Sequence, residues 1–590
     1  MQQLPTNHHS LCAAFHTVTA GRNLLGGQQL HAYILKFNTQ TTTLTNYLIN
    51  FYSKCHLPHF SNLVFQKCPS SHITKITFAS LISSFTQNNL PRLSLQSLLH
   101  MLRSGFLPDN RTLPSTAKAC GMTADARLGC SIHSLVVKIG IEFDVYVGSS
   151  VVDMYAKCGW IWDARKMFDE MPEKNVVTWS GLICGYSQLG LLNECFSLFK
   201  TALSGIEDDA GFDTCINDFT YSGIIRVCGE ATVQELGRQV HGHCVRTGFD
   251  SSSFVGGSLV TMYSKCGAVE DGYKVFDELP KRNLGVWNAM LFACAQHGHS
   301  NKAFDCFEEM CSSGIFPNFI TFLHLLYACS HAGLVESGKL YFNLMVKHHN
   351  IEPSFKHYVC MVDLLGRAGK LKEAMELINK MPMEPNDTVW AALLTGCCIH
   401  NDTAMARFAA SRLQETNSLS SGPLMLLCNT YTASGNYEAA AEARKVIRDK
   451  GIRKETGVSW VEFGNQIHTF VSSDRWHERS EEIYKKLEDV EREMRKFGYV
   501  PETREELGCI LNEKKRLAGW HSERLAAAWW LVVVEQKERP IRVMKNLRVC
   551  VDCHTWFKLL TMCTGRIMIL RDNSRFHRFV DGVCSCADYW

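Results

Sequence analysis

The chain has 590 residues, 20% of them charged, with 61 Lys and Arg against 58 Asp and Glu for a formal net charge of +3. So near-neutral a balance excludes a chain-wide basic field for nucleic acid, and the length allows several domains or one long repeat array. The 26 cysteines stand mostly singly in helical contexts such as YAKCG and YSKCG with no apolar leader ahead of them, which points to a reducing intracellular compartment and not to a secreted disulfide scaffold.

Neither Asp nor Glu occurs up to Leu107, whereas Arg22, Lys36, Lys54, Lys67, Lys75, Arg92 and Arg103 do. That acid-poor bias is the composition of an organelle transit segment. Helical patterning starts by residue 10, so residues 1–9 are read as a short N-terminal segment merging into helices.

Repeats organise most of the chain. VVDMYAKCGWIWDARKMFDEMPEKNVV at 151–177 lies over LVTMYSKCGAVEDGYKVFDELPKRNLG at 259–285 without a gap. A glycine recurs at Gly159, Gly190, Gly267, Gly298, Gly333 and Gly369, the last four spaced by 31, 35 and 36 residues. The unit is therefore a triplet of unequal repeats. Gly267 to Gly369 spans 102 residues, Gly159 to Gly267 spans 108, and a degenerate triplet from His56 to Gly159 spans 103. The surplus of the middle triplet fits an insertion at SGIEDDAGFDTC.

Apolar spacing inside each unit is helical: one short amphipathic helix ends at the glycine, and a second runs to a Met-Pro or Leu-Pro stop. A hairpin this short cannot bury its own apolar face, so neighbours must stack. An all-α superhelical solenoid is expected over roughly residues 10 to 450. Tetratricopeptide arrays keep a constant 34-residue period, which unequal spacing argues against.

The alternation, with NVVTWSGLICGYSQLG, FITFLHLLYACSHAG and HYVCMVDLLGRAG, resembles the P, L and S repeats of plant pentatricopeptide repeat proteins. The terminal ADYW resembles the tail of the DYW subgroup of organellar RNA editing factors. The resemblance runs to the last residue and looks close to the mitochondrial members, with the chloroplast as the alternative. It implies P, L and S repeats over 10–386, E-type helical repeats over 387–454 and a deaminase-like domain over 455–590.

It also implies one RNA base per repeat, read by a residue near the start of the first helix and by the repeat's last residue. The implied pairs are Ser149 with Asn175, Ser180 with Asn217, Ser222 with Ser252, Gly257 with Asn283, Asn288 with Asn318, Leu323 with Ser354, and Val359 with Asn386. Ser with Asn resembles the adenine-preferring combination and Asn with Asn a pyrimidine reader, while Leu323 and Val359 offer no hydrogen bond. Ser and Asn are also ordinary residues of helix starts and turns.

After the helical NYEAAAEARKVIRDKGIRKETG, the stretch VSWVEFGNQIHTFVSSD alternates as strands do, which marks a boundary near 455. HSERLAAAWWLVVV, PIRVMKN, VCVDCHTWFKLL and RIMILRD then read as helix, strand, helix and strand of an α/β domain. The apolar run LAAAWWLVVV at 525–534 is about half of the roughly 20 residues a membrane span needs. No membrane partner is expected.

His521-Ser-Glu523 and Cys550-Val-Asp-Cys553 form the H-x-E and C-x-x-C pattern of zinc nucleobase deaminases. His521, Cys550 and Cys553 would leave a tetrahedral zinc one open position for water, with Glu523 as proton carrier. Val549 stands where such enzymes usually carry Pro. A lone C-x-x-C also suits a structural zinc ribbon.

His554 follows Cys553 and points about 100° away around a helix. With His577, Cys584 and Cys586 it completes a second, closed zinc site in the tail, for two zincs per chain. Ala587 replaces the glycine usual in the family tail.

These readings converge on a zinc-dependent cytidine deaminase that edits C to U in single-stranded organellar RNA, with helper editing proteins as further partners and no DNA. The alternative is a non-catalytic specificity factor that recruits a deaminase in trans. Endonuclease action would need a paired-carboxylate metal site that the sequence does not suggest.

Overall fold

The computed structural model describes residues 8–37, 39–204, 216–415, 435–449, 455–500, 520–536 and 538–589, together with 425, 427, 428, 431 and 432. These fall into two compact units, 1–227 and 228–590. Most of the expected insertion at 204–215, the first seven residues and much of the stretch between 416 and 434 lie outside the described residues.

Unit one is built of helical hairpins. Val145–Lys157 and Ile161–Glu170 form one, and Val176–Gln188 and Leu192–Ser204 the next. Asp144 and Asn175 cap the first helix of each, their side chains accepting from backbone N–H groups two and three residues on. Gly159 and Gly190 turn the chain at φ of 78° and 70°, a left-handed conformation that a Cβ disfavours. The first helices carry the core: Val147, Val151, Val152, Met154 and Tyr155 of one and Trp179, Leu182, Ile183 and Tyr186 of the next are buried.

Unit two continues the pattern through Ser253–Lys265 with Val269–Glu278, Leu284–Gln296 with Ser300–Ser312, Phe319–Ala332 with Val335–Lys347, and Phe355–Arg367 with Leu371–Asn379. Asp387–Ile399, Thr403–Glu415 and Tyr437–Asp449 come next. Among the described residues the helices of the repeat part run from His8 to Asp449.

One hydrogen bond recurs with the triplet. His31 Nδ1 meets Tyr52 OH at 2.8 Å, His133 meets Tyr155 at 3.1 Å, and His241 meets Tyr263 at 2.8 Å. The three histidines are 102 and 108 residues apart, close to the triplet spacings, so the bond recurs once per triplet. Each ties the second helix of one hairpin to the first helix of the next. The signal is present in LHAYILK, IHSLVVK and VHGHCVR but is too sparse to find without the partner tyrosine.

The C-terminal part of unit two is a six-stranded sheet of order β2-β1-β3-β4-β5-β6. Its elements are β1 (Val458–Phe463), β2 (Gln466–Val471), α1 (Ser480–Lys496), α2 (Ser522–Val533), β3 (Ile541–Lys545), α3 (Val551–Thr564), β4 (Met568–Arg571), β5 (Phe576–Val580) and β6 (Val583–Cys584). β3 and β4 pair in parallel across α3, and every other pair is antiparallel. Leu487, Leu525, Trp529, Val543, Trp556, Phe557, Leu570 and Phe579 belong to one core between sheet and helices.

The other sheet face rests on the repeats of the same unit. Phe576 stacks on His297 at 4.2 Å and 8°, Trp460 Nε1 donates to Thr232 Oγ1 at 2.7 Å, and Tyr327 OH donates to the Ser574 carbonyl at 2.9 Å. A Cβ on Gly267 would stand 3.0 Å from the Phe576 ring, so glycine there serves both the turn and the docking. Glu462 accepts from the Gln234 and Glu235 backbone N–H groups at the start of the helix Gln234–Thr247, and burial pushes its carboxyl up to about 7.

Candidate active site and metal centres

His521 and Cys550 occupy equivalent places, each the N-cap of its helix, α2 and α3. Cys553 lies one turn into α3, and its backbone N–H donates to the Cys550 sulfur at 3.4 Å. His521 Nδ1 is 3.2 Å from Cys553 Sγ and 3.4 Å from Cys550 Sγ. Metal bonds of about 2.0–2.3 Å in a tetrahedron give ligand-to-ligand edges of roughly 3.3–3.8 Å, so these three donors fit a zinc ion. The Cys553 thiol and His521 hold Cys550 down to about 4, while burial pushes Cys553 well above the ordinary thiol range.

Glu523 sits in the first turn of α2, 0% exposed. Its Oε2 meets Lys545 Nζ at 2.5 Å and accepts from Ser522 Oγ at 3.3 Å. Its Oε1 lies 3.9 Å from His521 Nδ1 and is buried with no hydrogen-bond partner among the described residues. Burial alone would raise this carboxyl. The Lys545 ammonium outweighs that and holds it below the usual carboxylate range.

Two further residues escape sequence reasoning. Arg524 donates to Cys553 Sγ at 3.1 Å, to Asp552 at 2.6 Å and to Tyr499 OH at 3.1 Å. Tyr499 OH in turn donates to Asp552 at 2.7 Å. Once a metal makes Cys553 a thiolate, the Arg524 cation would both orient it and moderate its charge. No spacing rule in the sequence separates Arg524 or Lys545 from the other basic residues.

The tail forms the second cluster. Cys586 Sγ lies 3.3 Å from His554 Nε2 and 3.2 Å from Cys584 Sγ, and Cys584 Sγ lies 3.6 Å from His577 Nδ1. All four are buried, which suits a closed structural site. Asp572 stands behind His577 at 3.5 Å, as outer carboxylates stand behind metal-binding imidazoles. Although burial opposes it, the His577 imidazole and the Arg575 and Ser574 N–H groups keep Asp572 well below the carboxylate range.

The tail forms a hairpin. β5 turns into β6 at Asp581-Gly582, with φ of 47° and 81°, the Asp-Gly signature of a type I′ turn. That dipeptide stands in VDGVC and is a turn signal the residue pattern alone supplies. Beyond β6, Ala587 and Asp588 sit at φ of 49° and 62°. Tyr589 covers Gly333, whose added Cβ would meet its ring at 2.9 Å. Arg575 donates to both the Tyr589 and His331 carbonyls. Tyr589 therefore has a contact, whereas Trp590 lies outside the described residues.

Ala587 carries strain that the usual glycine would not. Ala587→Gly is expected to stabilise the tail by about 1 kcal/mol. A higher thermal midpoint and slower zinc loss to a chelator would register it, and an unchanged or lower midpoint would contradict it.

The residues assigned to base reading lie at the starts of the first helices. Ser149 Oγ donates to Asn175 Oδ1 at 3.1 Å, and Asn288 Nδ2 donates to Asn318 Oδ1 at 3.3 Å. Asn175, Asn283, Asn318 and Asn386 are helix N-caps, each accepting backbone N–H groups through Oδ1, and Asn217 Oδ1 accepts from Thr220 N at 3.0 Å. Ser354 belongs to a capping box with His357, and Ser252 precedes the helix Ser253–Lys265. Ser180 is buried, and Ser222, Gly257, Leu323 and Val359 are half-buried near helix starts.

Comparison with known proteins finds family matches along the chain. Residues 498–590 match the DYW family of nucleic acid deaminases, residues 400–462 the E motif, and 149–176, 177–203, 257–284 and 356–384 the PPR repeat, with 282–331 matching the PPR repeat family. A pentatricopeptide repeat-containing protein of Arabidopsis thaliana is 50% identical over 99% of this chain and 98% of its own length. Another from the same plant, named mitochondrial, is 37% identical over 93% of this chain and 85% of its own length. Among solved structures, the pentatricopeptide repeat protein PPR10 from maize is 15% identical, covering 76% of this chain and 71% of that one at a TM-score of 0.49. The same protein with an 18-nt psaJ RNA element covers 76% and 75% at 0.47.

Proposed function

The chain belongs to the pentatricopeptide repeat proteins that end in an E motif and a DYW nucleic acid deaminase domain, and from that premise we propose that it edits C to U at defined sites of single-stranded organellar RNA. The mitochondrion is the compartment, in line with the acid-poor first hundred residues and with relatives named mitochondrial. The observation that carries the reading is a buried carboxylate, Glu523, one oxygen unpartnered, beside three donors spaced for a metal.

His521, Cys550 and Cys553 would hold zinc, which supplies a bound water of lowered pKa. Glu523 Oε1 accepts a proton from the attacking water and passes it to N3 of cytosine, and the carboxylate then relays the second proton to the leaving amine. Water adds at C4, ammonia leaves, and cytidine becomes uridine. The buried His554, His577, Cys584 and Cys586 would hold the second zinc, away from substrate. Purified chain with its transcript and no other deaminase tests the assignment: uridine at the target supports it. Unaltered cytidine under zinc-replete conditions with tight binding leaves the recruiting role instead.

The repeats would select the site through their paired helix-start and repeat-end residues. In the family's register the Val359 repeat faces the nucleotide at −4 from the edited cytidine, the Asn288 repeat −6, and the Ser180 and Ser149 repeats −9 and −10. That register calls for a pyrimidine at −6 and adenines at −9 and −10. Asn217→Asp isolates reading from folding, because Asp caps a helix as well as Asn does but presents only acceptors. Helix content should stay constant while preference at −9 moves from A toward G, by roughly 1–3 kcal/mol. Four RNAs differing at −9 would decide it, and an unchanged order of affinities rejects the code or the register.

A further inference from the structure

Lys545 ends β3 with its side chain 8% exposed and its ammonium on Glu523 Oε2 at 2.5 Å. The same oxygen accepts from Ser522 Oγ at 3.3 Å, and that hydroxyl is tied to Ser459 Oγ of β1 at 2.9 Å. β1 and β3 are themselves paired, with Ser459 opposite Lys545. Two neighbouring strands thus converge on one oxygen of one carboxylate. The other oxygen, Oε1, is left without a hydrogen-bond partner among the described residues, on the side of His521.

A carboxylate that relays protons between a water and two nitrogens of a base must keep one oxygen still while the other faces the reactants, because a freely rotating group spends little time aligned. Burial makes the cation necessary as well, since an unpaired carboxylate inside a protein is costly. A purely structural ion pair would be equally served by a bond to either oxygen. Here both donors choose Oε2.

We propose that Lys545 is a positioning residue for deamination, fixing Glu523 through Oε2, with Ser522 as its helper, so that Oε1 is aimed at the reacting water and base. The inference rests on the deaminase reading and deepens it. Lys545 touches neither a metal donor nor, in this scheme, the substrate.

The test uses the full chain loaded with zinc, its target RNA, and the same RNA with pyrimidin-2-one riboside at the target, which adds water at C4 but has no amine to lose. Lys545→Met should lower kcat by about 30-fold or more with zinc content and half-saturating target RNA unchanged. Binding of the pyrimidin-2-one RNA should weaken in parallel. Lys545→Arg, which keeps a cation in reach, should recover most of both, and Ser522→Ala should show a smaller loss of the same kind.

Wild-type kcat in Lys545→Met overturns the inference while leaving the deaminase reading intact. So does a loss confined to the RNA half-saturation point, or one without weakened pyrimidin-2-one binding. Should Lys545→Met lose zinc or fail to fold, Lys545→Arg and Ser522→Ala decide, and wild-type behaviour of Ser522→Ala with no activity in a folded Lys545→Arg counts against positioning. A wild-type chain that deaminates nothing removes the deaminase reading, and the inference falls with it.

Discussion

Glu523→Gln is expected to abolish C-to-U conversion while zinc content and RNA affinity stay at wild-type levels. The amide is nearly isosteric and can still accept from Lys545 and Ser522 through its oxygen, but it cannot take up the proton that Oε1 must carry. A general acid and base typically contributes about 10²–10⁴-fold, so conversion should fall by at least about a hundredfold. Glu523→Ala should be as inactive and less stable, because it strands the Lys545 ammonium at a site where the side chain is 8% exposed. RNA affinity should survive in both, since it is assigned to the repeats. Transcript sequencing after incubation with each purified variant, beside zinc analysis of the same samples, reads the result. Conversion by Glu523→Gln with no other deaminase present would sink the mechanism. Loss of zinc in that variant would instead make Glu523 a ligand.

Cys584→Ala combined with Cys586→Ala is expected to lower bound zinc from two per chain to one and to destabilise the C-terminal domain severely. Both sulfurs are buried and belong to one four-donor group with His554 and His577. Removing them also takes two side chains from the core that holds Trp556, Phe557 and Phe579. Structural zinc contributes about 10–16 kcal/mol in small metal-dependent domains. That is as large as the whole stability of a typical domain, about 5–15 kcal/mol. The loss should reach the active group indirectly, because His554 and Cys553 are neighbours on α3 and the tail anchors the far end of the sheet. Chelator titration of the wild type should accordingly release zinc in two phases, with the closed tail site the slower. A single zinc in the wild-type chain, or a double variant that keeps two, would refute the second site.

Sequence alone determined what depends on local periodicity and on residue type. The hairpins were legible because a short amphipathic helix, a glycine that must adopt positive φ and a proline stop each act within a few residues. Two ungapped copies then identified the repeat. The candidate metal cluster was legible for a similar reason, since His, Cys and Glu at H-x-E and C-x-x-C spacing have few other uses together. The tail hairpin is of the same local kind, with Asp581-Gly582 as its signal, although the metal donors around it are the stronger feature of that stretch.

Only the tertiary structure decided which charges stand against Glu523 and Cys553. Lys545 and Arg524 look like any other basic residues until β3 and α2 bring them against Glu523 and Cys553. Nor could periodicity show that Tyr589 would meet Gly333 or that Phe576 would lie on His297. These contacts join residues more than two hundred positions apart. Their partners are chosen by packing, which acts between whole surfaces and leaves no mark at fixed spacing along the chain.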